Sequence, residues 1–138
     1  MSKLTMTKRV GDRGVAIIDL SGNITLGDGN IFLKQTLRSL AEQNEKKVLL
    51  NLSDVTYIDS SGLGELVAGY TSIGKAGGEL KLLNLTDRVK DLMMITKLLT
   101  VFDAYTDEAT AVAAFKTDTD EYTTGRLDAT RVSADVVS

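Results

Sequence analysis

Two rhythms of apolar residues alternate along the chain. Leu4 to Val10 is a short mixed run and reads as an edge strand, closed by a hairpin turn at Gly11-Asp12-Arg13-Gly14. Val15 to Leu20 is apolar on both faces, as a strand inside a sheet is, and Ser21-Gly22-Asn23 is expected to end it. Gly27-Asp28-Gly29-Asn30 leads into a helix, with Asn30 or Asp28 as its cap and a stripe of Leu33, Leu37, Leu40 and Ala41. After the solvated turn Asn44 to Lys47, Val48 to Leu52 is apolar except at Asn51 and fits a central parallel strand.

A second helix is predicted after Asp59. Leu63, Leu66, Val67, Tyr70, Ile73 and Gly74 mark its packed face; Gly64, Glu65, Ala68, Gly69 and Ser72 mark a small, weakly charged outer face. Gly77-Gly78 stops it. Glu79 to Leu85 is the next buried strand, and Thr86-Asp87 caps a helix from Arg88 to about Ile95. Leu98 to Ala104 holds a last short strand, and Asp107-Glu108 opens a helix ending near Phe115.

This order predicts one α/β domain over residues 1–116, with a mixed, mostly parallel sheet of four to five strands and about four helices. The first strand is antiparallel to its neighbour. From Thr117 to Ser138 the sequence turns to Thr, Asp, Ser and Ala, which predicts a flexible acidic tail. Docking of Val132 to Val137 is the lesser alternative.

Charge sharpens that division. The net charge is −3, and the tail carries two basic and five acidic residues, so residues 1–116 are balanced. Neither part shows the clustered positive charge of a nucleic-acid or anionic-membrane surface. No apolar run is long enough to span a bilayer, and Met1 to Arg9 lacks the apolar core of a signal peptide; the expected location is cytoplasmic. There is no cysteine and no histidine. Disulfides, thiolate chemistry, His-based catalysis and most zinc sites are thereby removed. No enzyme activity, cofactor or metal is expected.

The candidate chemistry lies in Asp59-Ser60-Ser61-Gly62, between a strand and a helix. A hydroxyl there stands near the free N–H groups of a helix start. Asp59 or Ser60 can simply be the N-cap. Alternatively a serine is phosphorylated, since a helix N-terminus accommodates a dianion. Gly62 and Gly64 either permit close packing or keep the surface bare for a partner. Met93, Met94 and Ile95 read mainly as core, with an excess that suggests an exposed patch. Gly62-x-Gly64 also suggests a phosphate loop, but Val67 replaces the third glycine of a dinucleotide fingerprint and no Gly-Lys-Ser/Thr follows. A serine hydrolase would need Gly-x-Ser-x-Gly and a histidine.

Val48-Leu49-Leu50-Asn51-Leu52 followed by Tyr57-Ile58-Asp59-Ser60-Ser61-Gly62-Leu63-Gly64 resembles the signature of the STAS domain, in the pattern of bacterial anti-sigma factor antagonists. Gly77-Gly78-Glu79-Leu80-Lys81-Leu82 and Leu20-Ser21-Gly22-Asn23-Ile24-Thr25 extend the likeness. The resemblance implies a STAS-like fold and a regulatory role. Unphosphorylated, such a protein binds an anti-sigma factor that is also a serine kinase and frees the sigma factor; phosphorylation ends the contact and a serine phosphatase resets it. Carried over, the phosphorylated residue is Ser60, with Ser61 as second choice. The implied contact surface holds Thr25, Asp28, Asp59, Ser61, Gly62, Leu63, Gly64 and Met94. Thr25 departs from the pattern, which usually has an acidic residue there, and Asp28 follows three residues on. The departure bears on the phosphorylation step or the kinase, and it keeps a never-phosphorylated scaffold module as the rival reading.

Overall fold

The computed structural model describes residues 3–116; the predicted tail at 117–138 lies outside the described residues. Five strands form one sheet in the order β1-β2-β3-β4-β5: β1 (Thr5–Val10), β2 (Ala16–Ile24), β3 (Lys47–Ile58), β4 (Glu79–Leu83) and β5 (Ala104–Tyr105). β1 is antiparallel to β2 and the other pairings are parallel. Helices α1 (Asp28–Glu42), α2 (Ser60–Lys75) and α3 (Asp87–Ile95) make the crossovers, and α4 (Glu108–Ala114) follows β5. The mixed sheet with four α-helices is the architecture the sequence predicts.

Sequential strand order with right-handed crossovers puts all the connecting helices on one face. The two cores show it. Ile18, Leu50 and Leu82 point into a large core with Leu33, Leu37 and Leu40 of α1, Leu63, Leu66 and Ile73 of α2, and Val89 and Met93 of α3. Ile17, Leu49 and Leu83, one residue away in each strand, meet Ala111, Val112 and Phe115 beside α4 on the opposite face. Lys81, the one buried charged residue among those described, joins that side: its Nζ lies 2.9 Å from Asp103 Oδ2 and 3.6 Å from Glu79 Oε2.

Several element boundaries differ from the sequence reading. Ser21-Gly22-Asn23 does not end β2, which runs through register shifts to Ile24. Gly22 makes this possible: its φ of 110° suits glycine, and a Cβ would collide with the Lys3 carbonyl. β3 continues to Ile58 because the lengthened β2 pairs with it and Val55 and Ile58 are buried. β4 stops at Leu83, before the positive φ of Asn84. Leu98–Thr100 is a 3-10 turn, and the last strand is only Ala104–Tyr105. Gly69 lies on the packed face of α2, wedged against Leu37 of α1, so the two helices approach closely. Tyr70 is partly exposed, its ring edge-on to Phe102 at 5.3 Å. The cap of α1 is Gly27; Asp28 is in the first turn and Asn30 caps from within it, Oδ1 accepting from the Gly27 N–H at 2.9 Å.

α2 ends as its glycines predict. Gly77 has a φ of +87°, its N–H bonds Gly74 O, and the Gly78 N–H bonds Ile73 O.

Candidate functional site at the start of α2

The parallel strands β2, β3 and β4 run toward the same end of the sheet and lead into α1, α2 and α3; β2 and β3 end together at Ile24 and Ile58, while β4 stops opposite Asn51. Three helix starts therefore gather there, the usual place for function in such sheets. Asp59, in extended conformation (φ −105°, ψ −176°), is the N-cap of the sixteen-residue α2. Its Oδ1 accepts from the Gly62 N–H at 2.9 Å and its Oδ2 from the Leu26 N–H at 3.0 Å. Its own N–H donates to Ile24 O at 3.2 Å. Burial pushes the carboxyl of Asp59 up; the N–H groups of Gly62, Leu26 and Ser61 outweigh that and hold it below the usual carboxylate range.

Capping thus falls to Asp59, and among the described residues the Ser60 hydroxyl makes no hydrogen bond. Ser60 is the first helical residue and is exposed; Ser61 is half-buried. Their N–H groups have no carbonyl one turn back, and the positive end of the helix dipole lies at the same point.

The two glycines divide. A Cβ on Gly62 would strike Ile24 O and lie 2.7 Å from Ile24 Cγ2, so this glycine seats the helix start on the end of β2. Around Gly64 there is open space, and it is exposed. Leu63 is buried in the main core and shapes the turn from inside. Thr25 follows the last residue of β2, between the Ile24 carbonyl and the Leu26 N–H that both bond Asp59, and its own carbonyl accepts from the Asn30 N–H at 3.0 Å. Asp28 is exposed in the first turn of α1. Met94 is 55% exposed and Ile95 78%, whereas Met93 is buried. Met94 lies seven residues into α3, about 10 Å along the axis from that helix's start.

Two features escape the sequence reading. Leu26, in the turn between β2 and α1, is 76% exposed yet has its N–H fixed by Asp59. A lone leucine between Thr25 and Gly27, in a stretch with no periodicity, is the only signal for it. Tyr57, also exposed, lies under the Arg88 guanidinium, 5.5 Å from ring centroid to Cζ. α3 is tied to this end of the sheet by Thr86, whose Oγ donates to Val55 O at 3.2 Å and accepts from the Val89 N–H.

The STAS domain sequence model matches residues 7–111, which include every element built around this turn. The chain belongs to the STAS domain family. Among similar STAS proteins, the anti-sigma-B factor antagonist of Bacillus subtilis is 37% identical over 86 residues, covering 62% of this chain and 77% of that protein. The anti-sigma F factor antagonist of Paenibacillus polymyxa is 27% identical over 100 residues, covering 72% and 86%. The crystal structure of an anti-sigma factor antagonist from Mycobacterium paratuberculosis superposes with a TM-score of 0.70 at 23% identity, over 81% of this chain and 93% of that one. That likeness is one of fold. Among the described residues, no group of three or more acidic side chains could hold a metal ion, and no helix is long and apolar enough to cross a membrane.

Proposed function

We infer that this STAS domain is an anti-sigma factor antagonist that works by reversible contact at the start of α2. Its partner is an anti-sigma factor with serine kinase activity, whose capture frees a sigma factor in the cytoplasm. Phosphorylation of Ser60 ends the contact, and a serine phosphatase restores it; Ser61 is the second choice. The observation that carries this reading is the division of labour in the turn: Asp59 caps α2, and Ser60 is exposed beside it, its hydroxyl unpaired among the described residues. The names of the relatives support the general role.

In the transfer, the Ser60 Oγ bonds to the γ-phosphorus of ATP held by the kinase, ADP leaves, and the hydroxyl proton passes to a base on the kinase. The phosphoserine brings close to two negative charges to a surface that had none at that atom. The helix start stabilises part of that charge, so the fold survives, while a partner packed on the spot loses both fit and charge balance. Incubation with ATP and candidate kinases of the same genome, with the modified residue mapped by mass spectrometry, tests the reading. Phosphate on Ser60, absent in Ser60→Ala, is expected; no phosphate with any of them leaves the scaffold reading, which the neutral Thr25 beside Asp59 favours.

A further inference from the structure

The Asp59 side chain joins the turn between β2 and α1 to the start of α2. Capping needs only one oxygen of Asp59, the one facing the Gly62 N–H. The other oxygen reaches across 33 residues of sequence to the Leu26 N–H, in a bond open to solvent. A carboxylate can do both because it offers two acceptor oxygens. The residue pinned in this way by its main-chain N–H presents a large apolar side chain to water, 76% exposed.

We propose that Asp59 is a positioning residue whose second oxygen pins the Leu26 turn against Ser60, forming one contact surface for an apolar pocket on the anti-sigma factor, and that a phosphate on Ser60 unpins it. The proposal rests on reading Ser60 as the phosphorylated residue. The phosphate sits one residue from the carboxylate and repels it, and it competes for the N–H groups of the helix start. The two bonds of Asp59 do not respond alike. The Gly62 N–H belongs to a buried glycine seated on Ile24, with little access to water. The Leu26 N–H is at the surface and exchanges its bond for water at small cost. The helix therefore keeps its cap and loses its neighbour, and the change reaches Leu26 without unfolding any element.

Amide hydrogen exchange on the full chain, followed residue by residue by NMR, reads this directly. With phosphoserine installed at position 60 during translation, the Leu26 amide is expected to exchange at least tenfold faster while Gly62 stays protected. Asp59→Asn, which keeps one acceptor oxygen and the cap, is expected to free Leu26 in the same way with no phosphate present. Leu26→Ala, with the pin intact, weakens binding to an anti-sigma factor that Ser60→Ala binds by about tenfold. An unchanged Leu26 amide in the phosphoserine protein overturns the proposal and leaves the Ser60 reading standing. A freed Leu26 amide in a protein that no kinase of the same genome modifies overturns the regulatory half and takes the Ser60 reading with it.

Discussion

At the scale of residues, two glycines two positions apart make opposite demands. Gly62 has no room for a side chain, because Ile24 lies against it on the end of β2. Gly62→Ala is expected to lower stability by about 1–3 kcal/mol, the range for overpacking a tight contact, in urea unfolding. Gly64 has open space around it and a helical position, so Gly64→Ala is expected to raise stability by about 0.5–1 kcal/mol. If Gly64→Ala also weakens partner binding, the bare surface is itself part of the interface. Asp59 adds a pH signature. Its folded pKa is lowered, so the stability it contributes is present above its unfolded pKa and is lost as the pH falls through the folded value. Asp59→Asn should therefore cost stability at pH 7 and progressively less on acidification; a cost independent of pH would contradict the hydrogen-bonded carboxylate. Asp19 and Glu108, both lowered by hydrogen bonds from Arg9, titrate with the same sign.

At the scale of elements, sequence periodicity located the strands and helices but not all their ends. The stripe of α1 and the runs at Val48 and Leu80 name their own core residues, because one packed helix face, or a strand buried on both faces, leaves little choice of side chain. β2 and β3 outrun their apolar segments because main-chain pairing, which no side-chain rhythm records, carries them on to Ile24 and Ile58. Gly69 reads as an outer-face residue until Leu37 of another helix is set against it. The same holds for Leu26, whose importance depends on a contact with Asp59 far along the chain. The place of α4 is likewise invisible in its own seven residues. Arg13, in the first hairpin, donates to Val112 O in its last turn and to Phe115 O just beyond it, and Arg9 pairs with Glu108 at its start. Arg13→Ala is expected to cost about 1–2 kcal/mol and to raise amide exchange in α4 above that in α2.

At the scale of the whole molecule, the sheet sets the site by topology. Sequential parallel strands bring the starts of α1, α2 and α3 to one end of the sheet, and the core beneath them is complete without any contribution from Ser60. A chemical change there can thus alter what binds without altering what folds. If residues 1–116 form the folding unit, a chain ending at Lys116 should melt within a degree or two of the full chain; a large drop would assign the tail a structural part. The most direct test of the switch is the affinity of Ser60→Ala and Ser60→Asp for the anti-sigma factor, measured side by side by calorimetry. Ser60→Ala should bind as the unmodified protein does, and Ser60→Asp at least tenfold more weakly, a difference of about 1.4 kcal/mol or more. Equal affinities for the two variants would contradict a switch at Ser60.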